Sequence, residues 1–191
     1  MWIVNAQDGR VYDAHHEDEP IFIYSDQKES NTTDPDLIML RTGSNNVAVY
    51  RISSRQVILR TKVPARDPRF SVQECQNLKT TLYCRDGTAI LAFDMAPGLE
   101  DATRLRWRRT SEAGQVFLGF AKSGDTLLAR RAPAGISSSS GIDPIWLRID
   151  PETGKTLDEF HPLWSPTGGF RIDGNRMYAF STDTAYAMDA K

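Results

Sequence analysis

A pair of apolar strands joined by a polar turn recurs along the chain, and this recurrence constrains the fold more than any other feature. In each copy the turn often carries Asp or Gly, and the second strand ends at a polar residue. The polar residues that end the second strands are separated by 38, 43, 56 and 39 residues. They are Asp13, Arg51, Asp94, Asp150 and Asp189. The longest separation contains the loop "APAGISSSSGID", which we interpret as an insertion. A unit of about 40–45 residues is what one blade of a β-propeller requires.

The rest of the chain also favours strands. Apolar residues alternate with polar ones or form short runs such as "NVAVYRIS" and "QVILRTKV", and Gly, Pro, Asn and Asp bound these runs. The one possible helical turn lies in "PGLEDATR", which is too short to change this interpretation. We therefore predict an all-β, propeller-like fold with four to five repeats, forming a single domain over residues 1–191. A two-sheet β-sandwich is the alternative.

The chain begins within the first strand pair of one unit and ends after the same pair of the fifth. Four and a half units make neither a closed four-bladed ring nor a finished five-bladed one. Pairing of the first and last segments would remove exposed sheet edges. A piece of a larger propeller is the other interpretation.

The stretch "LRIDPETGKTLDEF", taken with "DGNRMYAFSTDTAYAMDAK", resembles the repeat of the PQQ-like β-propeller family. That repeat runs through a short turn to a strand ending in Leu-Asp-x-x-Thr-Gly-Lys. The resemblance is good over residues 145–191 and suggestive at 81–94 and 1–13. The family includes quinoprotein dehydrogenases and non-catalytic propellers such as the outer-membrane assembly lipoprotein. With one full copy of the motif, the resemblance implies the non-catalytic branch and no bound cofactor.

One position departs from the family pattern. The family's stacking tryptophan follows the Gly-Lys pair by a few residues, whereas Lys155 is followed here by Thr156, Leu157 and Asp158. We therefore expect this docking residue to be absent. Gly154 is expected to supply the positive φ that such turns often require.

Composition narrows the class of function. The chain is 40% apolar and 25% charged, as globular proteins are, and its net charge of −2 removes the electrostatic case for a general nucleic-acid binder. No apolar run approaches the length of a membrane span. The N-terminus "MWIVNAQDGRVYD" lacks the features of a signal peptide. Both a cytoplasmic protein and a processed periplasmic one remain open.

The two cysteines, Cys75 and Cys84, allow three interpretations: free strand cysteines, a disulfide, or a zinc site. If "QNLK" forms the turn of a tight hairpin, Cys75 lies near Thr80 and Cys84 near Ser71. This register counts against a cross-strand disulfide. Zinc is disfavoured because no histidine lies near the pair.

The densest polar cluster, "DAHHEDEP", offers weak metal candidates in His15, His16 and Asp18. Adjacent strand residues point to opposite faces, so a common ion requires a loop; a solvated acidic loop is the alternative. His161, in "FHPLW", is predicted to be a packing residue. The loop "GISSSSG" fails as a nucleophile elbow because its glycines do not flank one serine at the required spacing.

Arginine supplies 17 of the 23 basic residues, which favours bidentate recognition of carboxylates. In "RLRWRR" the arginines alternate with apolar residues, which predicts a half-buried strand with an arginine row facing water. Trp and Arg are also enriched at interface hot spots. The predicted docking patch comprises Arg104, Arg106, Trp107, Arg108, Arg109, Arg130 and Arg131. An Arg-rich solvent face is the alternative.

These observations predict a non-enzymatic module that binds another protein, with an acidic surface on the partner. A bacterial immunity protein that neutralises a toxin, a scaffold and an envelope-assembly factor all fit this class. Two alternatives stay open: a metal-dependent enzyme using the loop at residues 13–19, and a fragment of a larger quinoprotein-type propeller.

Overall fold

The computed structural model describes residues 2–4, 11–14, 21–23, 34, 36–42, 46–62, 74–99, 104–135, 145–161, 169–173, 176–180 and 185–189. Within these ranges the chain forms seventeen strands and no helix. The first nine strands are β1 (Trp2–Val4), β2 (Val11–Ala14), β3 (Ile21–Ile23), β4 (Leu37–Thr42), β5 (Asn46–Arg51), β6 (Gln56–Lys62), β7 (Glu74–Leu78), β8 (Thr81–Arg85) and β9 (Ala89–Asp94). The other eight are β10 (Leu105–Thr110), β11 (Gln115–Ser123), β12 (Thr126–Pro133), β13 (Ile145–Ile149), β14 (Thr156–Phe160), β15 (Gly169–Asp173), β16 (Arg176–Phe180) and β17 (Ala185–Asp189).

The strands form five antiparallel sheets, in each of which neighbours in sequence are neighbours in space. We number them in chain order: sheet I (β1–β2), sheet II (β3–β6), sheet III (β7–β10), sheet IV (β11–β14) and sheet V (β15–β17). The first strands of successive sheets meet, since β11 contacts both β7 and β15. The predicted all-β, propeller-like fold is therefore confirmed. Among the described strands, no hydrogen-bonded pair joins sheet I to sheet V.

The recurring strand pair of the sequence corresponds to the second and third strands of each four-stranded sheet. β4–β5 ends at Arg51, β8–β9 ends at Asp94, and β12–β13 ends just before Asp150. Because sheet III packs on both faces, β8 is buried throughout and β9 nearly so. This double burial explains the continuous apolar run "AILAF", which a sheet with one wet face would not need.

Each four-stranded sheet has a β-bulge in its outermost strand. Against the third strand, β6 has one extra residue at Ile58, β10 at Arg106 and β14 at Leu157. A bulge re-aims the following side chain and increases the local twist. The residues after the bulges, Leu59, Trp107 and Asp158, are therefore equivalent positions in three successive sheets.

The two cysteines form a disulfide between β7 and β8, so the predicted register of this hairpin was wrong. Cys75 lies directly opposite Cys84, with a Cα–Cα distance of 4.1 Å. The turn is Lys79-Thr80, not "QNLK", because Lys79 adopts a positive φ of 54° and allows a two-residue reversal. Both cysteines are buried in the core between sheets II and III.

The turn between β13 and β14 has the predicted geometry. Gly154 has a φ of 70°, and its amide donates to the carbonyl of Asp150 at 2.8 Å. The Asp150 carboxylate accepts bonds from the Glu152 amide at 2.9 Å and the Thr153 hydroxyl at 2.7 Å. The side chain of Asp150 thus replaces a backbone partner inside the turn. Among the described residues, no helix is long and apolar enough to cross a membrane.

Candidate protein-binding surface

Trp107 on β10 joins sheet III to the β13–β14 turn of sheet IV. Its indole Nε1–H donates to the carbonyl of Pro151 at 2.9 Å, and its ring packs directly against Gly154. A Cβ placed on Gly154 would lie 2.7 Å from two atoms of this ring, so no larger residue fits there without movement. The hydroxyl of Tyr83 donates to the same Pro151 carbonyl at 3.1 Å, and its ring lies 5.7 Å from that of Trp107.

The expected absence concerns only the strand after Lys155, where residues 156–160 contain no tryptophan. A tryptophan does stack on Gly154, but it comes from the outer strand of the preceding sheet. Its sequence signal was present, because Trp107 lies on the strand that follows Asp94, one of the polar residues that end the second strands. The longer connection between Asp94 and β10, which lacks a Thr-Gly-Lys sequence, hid the correspondence.

Arg106, the bulge residue of β10, lies beside this contact. One guanidinium nitrogen donates to the hydroxyl of Thr81 at 2.9 Å, and another forms a short ion pair with Glu152 on the turn of sheet IV. The side chain of Arg106 is 32% exposed and that of Glu152 is 64% exposed. Arg106 therefore bridges two sheets and still faces solvent.

Arg108 pairs with a carboxylate of its own sheet. Its guanidinium lies 3.1 Å from the carboxylate of Asp86, whose side chain is fully buried in the β8–β9 turn. The other oxygen of Asp86 accepts bonds from the amides of Thr88 and Ala89. Because a buried carboxylate needs both a cation and donors, Arg108 completes the set that Asp86 requires.

The remaining arginines of the predicted patch lie deeper. Arg104 donates to the carbonyls of Asp94 and Ala96 at 3.1 and 3.2 Å, and it is only 7% exposed. Arg104 thus departs from the predicted solvent-facing row, because it closes the β9–β10 connection from inside. Arg109 is half-buried on β10.

Arg130 and Arg131, neighbours on β12, are both buried. The guanidinium carbon of Arg130 lies 5.8 Å from the centre of the Trp146 ring, and burial, with the nearby charge of Arg85, lowers the pKa of Arg130. Arg131 pairs with Glu112 at 2.7 Å and Glu159 at 3.5 Å. Of the predicted set, Arg106, Trp107 and Arg108 come together on one outer strand, and Arg130 and Arg131 lie apart on sheet IV.

The ion pairs of Arg131 and Arg148, on sheet IV, share an asymmetry of exposure that is opposite to that of Arg108 and Asp86. The side chain of Arg131 is 5% exposed, whereas those of its partners Glu112 and Glu159 are 64% and 47% exposed. Arg148, in sheet IV, is likewise more buried than its partner Asp158. At these sites the guanidinium groups face the protein and the carboxylates face solvent. The sequence could not reveal this, because the partners lie far apart along the chain.

Other candidates receive less support or fall outside the described ranges. The weak metal candidates His15, His16 and Asp18 lie outside the described residues, as does most of the serine loop. Within the described ranges, no group of three or more His, Cys, Asp or Glu residues is placed to hold a metal ion. His161 is exposed, so the prediction that it packs in the interior was wrong.

Comparison with known proteins shows that the chain is similar in fold to several solved structures. No protein-family model matches the chain, and no curated protein does. The designed protein Ika4 is similar over 84% of this chain and 89% of its own, with 12% identity and a TM-score of 0.54. BamB from Moraxella catarrhalis is similar over 81% of this chain, with 12% identity and a TM-score of 0.50. A europium-containing methanol dehydrogenase is similar over 67%, with 10% identity and a TM-score of 0.50. The chain spans 40% of that BamB and 23% of that dehydrogenase.

Proposed function

We propose that this chain is a non-enzymatic, propeller-like module that binds another protein through the outer strand β10. The observation that carries the proposal is the arrangement of Arg106 and Arg108 on either side of the docked Trp107. Both arginine side chains remain partly exposed, at 32% and 25%. The candidate contacts are Arg106, Trp107 and Arg108; of the other residues of the predicted patch, Arg104, Arg130 and Arg131 are buried and Arg109 is half-buried.

Fixed guanidinium groups are suited to carboxylates on a partner. A guanidinium has five N–H donors in a planar fork, and the bonds of Arg106 to Thr81 and Glu152 occupy two of its nitrogens. Because these bonds hold the side chain in one position, binding costs less conformational entropy than ordering a free arginine would. We therefore expect the partner to present one or a few carboxylates to this strand. This agrees with the acidic partner surface that the arginine content of the sequence predicts.

Affinity capture from a lysate of the source organism, with quantitative mass spectrometry, tests this proposal. The wild-type chain should retain one protein at near-equal stoichiometry, and Arg106→Glu should reduce that retention about tenfold or more. Arg106→Glu also breaks the pair with Glu152. A second variant therefore combines Arg106→Glu with Glu152→Arg, which restores a pair of opposite charges across the sheet junction and reverses the surface charge.

A charge exchange elsewhere supplies the control. Lys79 and Asp125 form a highly exposed pair at 3.7 Å, so Lys79→Glu combined with Asp125→Lys makes the same kind of change outside the patch. Retention should survive this control and fail in the exchanged Arg106/Glu152 variant. Equal retention by all variants would contradict the assignment to β10.

Within the class of protein-binding modules, we propose a role in neutralising a toxin or in scaffolding. Neutralisation of a toxin, scaffolding and envelope assembly all require a stable protein complex, and the identity of the retained protein distinguishes among them. The runner-up is a fragment of a larger propeller, favoured by the 40% and 23% of two neighbours' lengths that the chain spans. Further repeats of this kind in the same reading frame would favour the runner-up.

A further inference from the structure

The outer strands of the three four-stranded sheets differ at equivalent positions. After the bulge, Leu59 of sheet II is buried at 1% exposure in the core that joins sheets II and III. Trp107 of sheet III joins the core shared with sheet IV. At the same position of sheet IV stands Asp158, whose side chain is 53% exposed and pairs with Arg148 in its own sheet. The third outer strand therefore replaces an apolar docking residue with a charge.

The bulge residue itself follows the same trend. Ile58 of β6 packs against the core, and Arg106 of β10 is bonded to the next sheet. Leu157 of β14 is 56% exposed, which makes it the most exposed large apolar residue of the described chain. A single exposed leucine needs no explanation by itself. Leu157 does, because the equivalent residues of the other two sheets contact the core or the next sheet.

Leu157 is bordered by negative charge. Asp158 and Glu159 follow it, and both remain about half exposed because their partners, Arg148 and Arg131, are more deeply buried. β14 is also the last strand of its sheet in the described structure. Together these residues form a surface, here called the β14 edge (Thr156–Phe160), with an apolar centre and a carboxylate border.

We infer that the β14 edge binds a positively charged segment of another protein, in which an apolar side chain covers Leu157 and neighbouring Lys or Arg residues meet Asp158 and Glu159. Charge complementarity selects this occupant, and the net charge of −2 on the whole chain acts in the same direction. The inference goes beyond the proposed function, because it uses another sheet and the opposite charge. A module with two such surfaces can hold two different partners.

The probe for this inference is a synthetic peptide of alternating lysine and valine, titrated into the isotope-labelled protein. Backbone amide shifts should change at residues 156–160, and added salt should weaken binding, because the contacts are screened. The matched peptide of alternating glutamate and valine should produce no change at the β14 edge. Absence of shifts at residues 156–160 up to millimolar peptide, or shifts centred on another sheet, would overturn the inference.

Two sets of variants identify the contacts. Leu157→Ser, and separately Asp158→Asn with Glu159→Gln, should each weaken the lysine–valine peptide about tenfold. Glu112→Gln is the control, since Glu112 is a somewhat more exposed carboxylate that pairs with the same Arg131 but lies off β14. Equal weakening by the control would show non-specific attraction and refute the inference. The assay needs no natural partner and leaves Arg106 intact, so its failure is distinguishable from failure of the proposed function.

Discussion

The two faces of sheet III are packed by different physical means. The face toward sheet II is apolar: Cys75, Leu82, Cys84, Leu91 and Phe93 meet aliphatic side chains of β4, β5 and β6. The disulfide between β7 and β8, two strands of sheet III, lies on this face. Apolar burial is non-directional, so this face contributes stability through the area removed from water.

The face toward sheet IV combines aromatic packing with directed polar contacts. The side-chain amide of Gln76 donates to the carbonyl of Phe120 at 3.1 Å and accepts from the amide of Lys122 at 3.2 Å. Arg85 donates to the carbonyl of Phe117 at 2.6 Å. Trp107 adds its contact with the next turn. These bonds fix the position of sheet IV relative to sheet III, which apolar packing alone would specify less sharply.

The largest expected effect is at the aromatic contact. Trp107→Ala should lower the free energy of unfolding by about 3–4 kcal/mol, because it removes a large packed ring and a hydrogen bond. Urea denaturation measures this loss. Gly154→Ala should also destabilise the protein, since the new Cβ meets the Trp107 ring and the backbone φ is positive. When Trp107 is already alanine, Gly154→Ala should destabilise the protein less, because only the strain of the positive φ remains. If the two substitutions instead lower the free energy of unfolding additively, the contact between Trp107 and Gly154 is contradicted.

On the apolar face, Leu59 is the equivalent of Trp107. Leu59→Ala should lower the free energy of unfolding by about 3 kcal/mol, because Leu59 is fully buried in the core between sheets II and III. Leu59→Met should cost less than about 1.5 kcal/mol, since it conserves volume. If Leu59→Met lowers the free energy of unfolding as much as Leu59→Ala, the packing between sheets II and III depends on the exact shape of the side chain. The contrast with the directed polar contacts toward sheet IV would then be smaller than proposed.

The disulfide is expected to contribute less than either side chain. Replacing both Cys75 and Cys84 by alanine should lower the free energy of unfolding by about 2–3 kcal/mol, because the cross-link constrains the unfolded chain around a short loop. Chemical denaturation of the oxidised protein and the variant gives the difference. Both cysteines are buried, so a dithiol should reduce the bond slowly in native buffer and rapidly in denaturant. Equal rates would show that β7 opens readily.

Gln76 tests the directed contacts on the other face. Gln76→Leu should cost about 1–2 kcal/mol, since the carbonyl of Phe120 and the amide of Lys122 lose their side-chain partner. The exposed Gln56 on β6 supplies the control, and Gln56→Leu should change the free energy of unfolding by less than about 0.5 kcal/mol. A neutral Gln76→Leu would mean that packing alone positions sheet IV.

The smallest effect concerns acid pH at the turn on which Trp107 docks. The hydrogen bond from the Thr153 hydroxyl, followed by that from the Glu152 amide, holds the pKa of Asp150 below its ordinary value of 3.8. The carboxylate therefore stabilises the folded state above pH 3.8, and this contribution is lost as the pH falls through the lower folded-state pKa. Asp150→Asn should remove this dependence. An NMR titration that places the pKa of Asp150 at or above 3.8 would contradict the assignment.

The sequence by itself determined the strand pairs, their repeat and the β13–β14 turn. These features depend on local rules: strands alternate with a period of two, turns need Gly or Asp, and Gly154 adopts the left-handed conformation wherever the turn lies. For the same reason the all-β, propeller-like class followed from spacing alone.

Only the tertiary structure decided how the chemically distinctive residues are used. Nothing in the residue pattern indicates that a positive φ at Lys79 shortens the hairpin turn and brings Cys75 opposite Cys84. Sequence alone also left Trp107 without its partner, because Gly154 belongs to the next sheet. The same holds for the arginines, whose carboxylate partners lie up to 46 residues away. Strand formation depends on neighbours in sequence, whereas docking, ion pairing and exposure depend on neighbours in space, which the packing of whole sheets determines.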